Sequence, residues 1–276
     1  MTFSSTVLDL DVQGPVATLW LSRVDARNAL GRALWHDLPL AAQAVASDPA
    51  IRVLVIAARG DHFTVGLDLK EMGSTLGGGG GTPASHAAAS ATFYEAVRTM
   101  QDSITAIEKL KIPVIAAVHG YCIGGGIDLI CAADIRLGSS SAIFSVREAK
   151  VAIVADLGTL QRLPKIVSAG HVAELAYTGK DIDAQYAMRI GLINNVFGET
   201  GDDVVAAALE LAHEIARNSP LAVQGTKAVL AANDGRTIEE GLEFVARWNT
   251  MYLQSNDLTE AMTAFLERRP PHFTGN

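Results

Sequence analysis

Residues 7–12 alternate apolar and polar side chains, and an apolar-rich run over residues 16–21 follows the turn Gln13-Gly14-Pro15. Strand-like runs on either side of a Gly-Pro turn predict a β-hairpin. Beyond Asn28, apolar residues recur at Leu30, Leu34, Leu38 and Ala41. That is helical spacing, and it predicts a helix running to about Ser47, with Asn28 as its cap and Asp48-Pro49 as its stop. Residues 51–57 are almost wholly apolar and rich in β-branched side chains, the signature of a buried strand. Residues 60–69 read as a loop or short strand entering a turn. The five glycines at 77–81, followed by Thr82-Pro83, predict a mobile surface loop. A long helix is expected over 86–110, with its apolar stripe at Phe93, Val97, Met100, Ile104 and Ile107.

The middle of the chain repeats short units. A strand is expected over 114–118, a tight turn at Gly124-Gly125-Gly126, a short helix over 127–133, and strands over 135–139 and 142–146. Such alternation predicts an α/β core with stacked sheets. From Asp202 onward only helical patterning is found. Ser219-Pro220 opens one helix with proline at its first position. The stretches from Thr237 to Glu240 and from Asp257 to Glu260 both have the form of capping boxes. The expected division is therefore an α/β core over 1–200 and a helical region over 201–276, the latter suited to oligomer contacts.

Composition narrows the function classes. Hydrophobic residues make up 49% and charged residues 19%, enough apolar material for a substantial core. The net charge is −8 and no Lys/Arg cluster is present, so nucleic acid is not an expected partner. The longest apolar stretch, 112–127, is broken by Pro113, His119 and four glycines, so no membrane partner is expected either. The first residues lack a basic segment followed by an apolar one, and Phe273-Thr274-Gly275-Asn276 is not a peroxisomal signal. These absences, with Cys122 and Cys131 in apolar sequence, give the expectation of a cytoplasmic protein with reduced, buried thiols. The seven histidines show no His-x-x-x-His spacing, and Cys-x-x-Cys is absent, so no metal site is expected. His119, before a glycine at a strand end, is expected to be packed and hydrogen-bonded.

The chemistry concentrates around the glycine-rich turn. Glycines between a strand and a helix let backbone N–H groups approach a ligand, and the helix start favours an anion, whether phosphate or developing oxyanion. Neither a phosphate-binding Gly-Lys-Ser/Thr loop nor a Gly-x-Ser-x-Gly nucleophile elbow is present. Three carboxylates lie nearby: Asp128 among Gly, Ile and Leu, Glu148 just after a strand in Phe144-Ser145-Val146-Arg147-Glu148-Ala149, and Asp156 in a nearly uncharged apolar run. Burial raises a carboxyl pKa and suits it to proton transfer near neutral pH. The alternative for each is capping, or pairing with Arg136, Arg147 or Arg162.

Several motifs in order resemble the crotonase (enoyl-CoA hydratase/isomerase) superfamily. They are Ser22-Arg23 with Arg27-Asn28-Ala29-Leu30, Phe63-Thr64-Val65-Gly66-Leu67-Asp68-Leu69, Ile112-Pro113-Val114-Ile115-Ala116-Ala117-Val118-His119-Gly120, the triple glycine, Gln161-Arg162-Leu163-Pro164, and Ser255-Asn256-Asp257 with its following helix. The resemblance implies an α/β spiral of ββα units with a helical C-terminal region building homotrimers or homohexamers. It implies an acyl-CoA thioester as substrate, with the coenzyme part of that substrate and no separate cofactor. By motif position the oxyanion donors are the N–H groups of Leu67 and Gly125, and the CoA-binding residues are Arg27, Val65, Gly66, Leu67 and Asp68.

The acids refine the resemblance. Asp128 and Glu148 lie 20 positions apart, as two glutamates do in enoyl-CoA hydratases, so one of that pair is an aspartate here (148 − 128 = 20). Arg147 replaces a proline of the hydratases. The added Asp156, within Ala155-Asp156-Leu157-Gly158-Thr159-Leu160-Gln161-Arg162-Leu163, resembles the Δ3,5-Δ2,4-dienoyl-CoA isomerase subfamily. Lys150 stands where those isomerases tend to carry an acid, and Ala152 where they tend to carry glycine. The implied reaction moves a proton from C2 to C6 of a 3,5-dienoyl-CoA. Glu148 would act at C2, and Asp156, kept protonated by apolar surroundings, at C6, with Asp128 in support. Rival readings are an enoyl-CoA hydratase, a Δ3,Δ2-enoyl-CoA isomerase, and a non-catalytic acyl-CoA-binding protein.

Overall fold

The computed structural model describes residues 3–76 and 86–276, so the glycine run at 77–81 lies outside the described residues. The chain opens with strands β1 (Leu8–Gln13) and β2 (Val16–Leu21), paired antiparallel as the hairpin with Leu8 opposite Leu21. It continues through α1 (Arg32–Ser47), β3 (Val53–Ala58), α2 (Leu69–Leu76), α3 (His86–Glu108), β4 (Val114–Val118) and β5 (Tyr121–Ile123). Then come α4 (Gly125–Cys131), β6 (Ile135–Gly138), β7 (Ile143–Ser145), α5 (Thr159–Arg162), α6 (Ala169–Thr178), β8 (Ile182–Asp183), α7 (Ala184–Arg189) and β9 (Asn195–Val196). Four helices end it: α8 (Gly201–Ala216), α9 (Pro220–Ala232), α10 (Ile238–Tyr252) and α11 (Asn256–Glu267).

The result is the expected α/β class with two sheets. One is six-stranded in the order β1-β2-β3-β4-β6-β9, and the other joins β5, β7 and β8. From β2 onward the large sheet is parallel. Parallel strands are covered on both faces, which explains why β3 and β4 are buried at every residue. Along β3, Leu54 and Ile56 point into the main core with α1 and α3, whereas Val53, Val55 and Ala57 face a second core. The buried stripe Val204, Val205, Ala208, Ala212 and Ala216 of α8 closes that second face. By packing, α8 belongs with the sheet, and α9 to α11 stand outside it.

Two expected caps differ. Asn28 does not begin α1, whose first residue is Arg32. Asn28 is buried in left-handed backbone (φ 55°), and its Nδ2 donates to the carbonyls of Arg59 and His62, both at 2.9 Å. Asp257 does not cap α11 either. Ser255 does that by accepting from the Leu258 N–H, while Asp257 turns inward to accept from the Ser219 hydroxyl at 2.6 Å and the Thr274 N–H at 2.8 Å. Ser219 and Thr237 cap α9 and α10 as expected, the latter in a capping box.

Candidate active site

The glycine turn takes its shape from close backbone contact. The Ile123 N–H donates to the Thr64 carbonyl at 3.2 Å, and the Thr64 N–H to the Tyr121 carbonyl at 2.8 Å. These bonds lay the loop 63–68 alongside β5. Gly66 has φ 85°, and a Cβ there would lie 2.8 Å from the Ile123 carbonyl oxygen, so only glycine allows the approach. Gly124 is also left-handed (φ 54°) and turns the chain into α4, whose first residue is Gly125. The first N–H of a helix has no partner inside it, so that of Gly125 is left to point at a ligand. Among the described backbone hydrogen bonds none is donated by Leu67 or Gly125. The side chains of Leu30 and Trp35 close over Gly125.

The three acids come together around this turn. Asp128, in the first turn of α4, is almost fully buried and accepts from the Thr159 N–H at 2.5 Å. Burial pushes its carboxyl up to about 6, against the pull of Thr159 and with a contribution from the charge of Asp156. Glu148 begins a short 3₁₀ turn after β7. A Cβ on Gly124 would be 3.4 Å from its Oε1, so the carboxyl rests beside the backbone that presents Gly125. Its Oε2 is buried without a hydrogen-bond partner among the described residues. Burial, then the charges of Asp128 and Asp156, raise it to about 7. Asp156 is half-buried and also raised, by burial.

Pairing with arginine is not what these acids do. Arg136 donates to the carbonyls of Leu192 and Ala133, Arg147 pairs with Asp181, and Arg162 with Glu108. Asp156, expected to be kept protonated by apolar surroundings, is only half-buried, and Glu148 is the more enclosed of the two. Ala152 has φ 59°, a conformation that favours glycine, so the alanine noted in the sequence sits in backbone that costs it energy.

Among the proposed CoA contacts, the Arg27 carbonyl accepts from the Val65 N–H at 3.3 Å, placing Arg27, Val65, Gly66 and Leu67 in one strip beside the turn. The Asp68 carboxylate is used internally. It accepts from Arg23 at 2.8 Å and from the N–H groups of Lys70 and Glu71 at the start of α2, and these bonds hold its pKa low against burial. Any contact it makes with CoA falls to its backbone. His119 is buried, with Nε2 2.8 Å from the Gly60 carbonyl, and both cysteines are free and buried. Sequence reasoning did not pick out Thr159, Gln101 or Arg162 as site residues. The bonds from Thr159 to Asp128, Gln101 to Asp156 and Arg162 to Thr105 span 31, 55 and 57 positions, separations that leave no local signal. Among the described residues no cluster of His, Cys, Asp or Glu is placed to hold a metal ion.

Comparison with known proteins agrees with this geometry. The family model for enoyl-CoA hydratase/isomerase matches residues 11–276. The mitochondrial Δ3,5-Δ2,4-dienoyl-CoA isomerase of Dictyostelium discoideum is 42% identical over 95% of this chain and 88% of its own length. The peroxisomal Δ3,5-Δ2,4-dienoyl-CoA isomerase of Arabidopsis thaliana is 39% identical over 97% of this chain and 95% of its own. The crystal structure of an enoyl-CoA hydratase from Bacillus anthracis superposes with a TM-score of 0.88 at 29% identity, covering 98% of this chain and 100% of that one. The cytoplasmic location expected from missing signals is corrected by these relatives, which are mitochondrial or peroxisomal proteins. Motif order, the two-sheet fold and near full-length similarity converge: the chain belongs to the enoyl-CoA hydratase/isomerase family.

Proposed function

We propose that this chain is a Δ3,5-Δ2,4-dienoyl-CoA isomerase, converting 3,5-dienoyl-CoA to 2,4-dienoyl-CoA. The observation that carries the reading is the third carboxyl. Asp156 lies half-buried on the turn that the Thr159 N–H fastens to the Asp128 carboxylate, which places a third acid at the site. Relatives of that name, alike over most of their length, support it.

The N–H groups of Leu67 and Gly125 receive the thioester oxygen and hold it as negative charge develops. C2 is one bond from the thioester carbon, and Glu148 lies beside Gly124, so Glu148 takes the C2 proton. The C2–H pair becomes the C2=C3 bond, the C3=C4 pair moves to C4=C5, and the C5=C6 pair takes a proton at C6 from Asp156. Glu148 gains one proton and Asp156 loses one, so atoms and charge balance without redox chemistry. A bound acyl chain covers the half-exposed Asp156, strips water from it and favours its protonated form. Asp128, fixed by Thr159, keeps a negative charge beside Glu148 and raises its basicity. Arg27 and the backbone at 65–68 take the coenzyme.

The helices outside the sheet expose Leu230, Ile238, Leu242, Met262, Phe265 and Leu266. An apolar surface of this kind is consistent with the helical region assembling a homotrimer or homohexamer.

The test is diene absorbance with 3,5-octadienoyl-CoA, in wild type and Asp156→Asn. Turnover that collapses in the variant supports the reading. Hydration of crotonyl-CoA with no diene formed would move the chain to the hydratases and leave Asp156 a structural acid.

A further inference from the structure

The turn that carries Asp156 is fastened to α3, a helix that supplies none of the three acids. Gln101 Nε2 donates to the Asp156 carbonyl at 2.5 Å. Arg162 reaches back over the same turn. Its Nη1 donates to the Leu157 carbonyl at 3.3 Å, its Nη2 to Thr105 Oγ1 at 3.0 Å, and its Nη2 and Nε to Glu108 Oε2 at 2.8 and 3.1 Å. The guanidinium lies so close over Gly158 (φ 125°) that any Cβ there would collide with it. Two successive carbonyls, those of Asp156 and Leu157, are thus drawn to one helix. The far end of the turn is fastened separately, by the Thr159 N–H on Asp128. Glu148 stands on another segment, following β7, whose neighbour Ser145 is held by Gly124 and Gly179.

We infer that Gln101 and Arg162 are positioning residues for the distal half of the reaction, clamping the Asp156 turn to α3 so that the carboxyl meets C6. The inference rests on the isomerase reading and deepens it. Proton removal at C2 uses Glu148 and the Leu67 and Gly125 donors, none of which the clamp touches. Protonation at C6 needs a backbone that the clamp holds. Loosening it therefore separates two steps that a general loss of structure would impair together.

The experiment is isomerisation of 3,5-octadienoyl-CoA in D2O by the full chain. Two rates are measured: deuterium entering C2 of recovered substrate, and 2,4-diene formation. Both are followed for wild type, Gln101→Leu, Arg162→Met and Arg162→Lys. A misplacement of the order of 1 Å lowers rates by up to about a hundredfold. The expected result is diene formation reduced by about tenfold or more in Gln101→Leu and Arg162→Met, with C2 exchange within about threefold of wild type. Arg162→Lys keeps a donor and a charge, so its ratio of exchange to product falls between wild type and Arg162→Met. Should Arg162→Met fail to fold, Gln101→Leu alone decides, because it removes only two side-chain hydrogen bonds, the one to the Asp156 carbonyl and one from the exposed Arg98. Exchange and diene formation falling in parallel, or neither changing, would overturn the clamp. A wild type that forms no diene would instead overturn the isomerase reading itself.

Discussion

Replacing Glu148 by glutamine should stabilise the protein at alkaline pH while abolishing turnover. The structure holds the Glu148 carboxyl at about 7 against an ordinary value of 4.5, because it is enclosed and faces two further carboxylates. A group whose folded pKa is raised contributes stability below its unfolded pKa and loses it as pH rises through the folded value. Raising it from 4.5 to about 7 corresponds to about 3 kcal/mol of destabilisation once the folded protein is fully ionised there. Glutamine carries no charge at any pH, so its own cost, an amide beside the unpartnered Oε2 position, is the same at pH 5 and pH 8.5. Comparing the variant with wild type at both values cancels that cost. Between pH 5 and pH 8.5 the variant should gain about 2 to 3 kcal/mol relative to wild type. For a chain of this size that is a Tm difference of about 5 °C, readable by scanning calorimetry in both buffers. The reasoning fails if the advantage of the variant is equal at the two pH values, or larger at pH 5. Either result would mean that Glu148 is not enclosed among like charges in the folded protein.

Four further outcomes follow from named residues. In wild type, kcat, which reports the complex whose acyl chain keeps Asp156 protonated, should rise with pH through a midpoint near 7 as Glu148 ionises. Asp128→Asn removes the second-largest cause of that high value, so the midpoint should move to lower pH in a pH–rate profile; an unmoved midpoint would sink the coupling. Ala152→Gly relieves a left-handed residue (φ 59°) and should raise the denaturant midpoint by about 0.5 to 1 kcal/mol equivalent, without changing turnover. Asp257→Ala leaves the Ser219 hydroxyl and the Thr274 and Gly275 N–H groups without their acceptor and should cost about 2 to 3 kcal/mol at pH 7. Burial pushes Asp257 up, but those hydrogen bonds outweigh it and hold its pKa low, so the gap between variant and wild type should narrow as acid protonates it. Urea titrations at pH 7 and below pH 4 distinguish this from simple loss of packing.

The readable parts of this sequence were those with local periodicity. β3 and β4 are apolar throughout because both their faces are covered, and the last four helices are long runs with a buried and a solvent side. β5, β8 and β9 have only two or three residues each and exist because a longer strand lies beside them, so no window of sequence reveals them. The acids were readable for a different reason. Asp128 and Asp156 interrupt apolar sequence, Glu148 follows a strand in the family motif spacing, and burial of all three is what raises their carboxyls. Asn28 and Asp257 misled because the residues best at capping are also good at bonding distant backbone. Asn28 holds carbonyls at 59 and 62, and Asp257 holds the tail at 274 and 275. Gln101 is an ordinary position of a long predicted helix, and Arg162 stands out in the sequence only as part of a family motif and as a possible partner of the acids. Only tertiary contact shows that they grip the Asp156 turn.

The unequal footing of the three acids is what the proposed reaction requires. Asp128 has a donor within hydrogen-bond reach, Glu148 has an oxygen with none, and Asp156 is open to cover by a ligand. Three acids equally exposed would all ionise near their ordinary values, and none would hold a proton to give at neutral pH. Three equally enclosed would stay protonated and leave no base. Unequal enclosure lets one ionise while another holds its proton, and mutual repulsion ties the two states together. Because Glu148 gains a proton as Asp156 gives one up, the number of negative charges in the site is the same before and after. Enclosure strengthens electrostatic interactions, and that would penalise a reaction that created net charge there. A reaction that only relocates a proton across the cluster, with the intervening charge held by Leu67 and Gly125, avoids the penalty while keeping the benefit of enclosure.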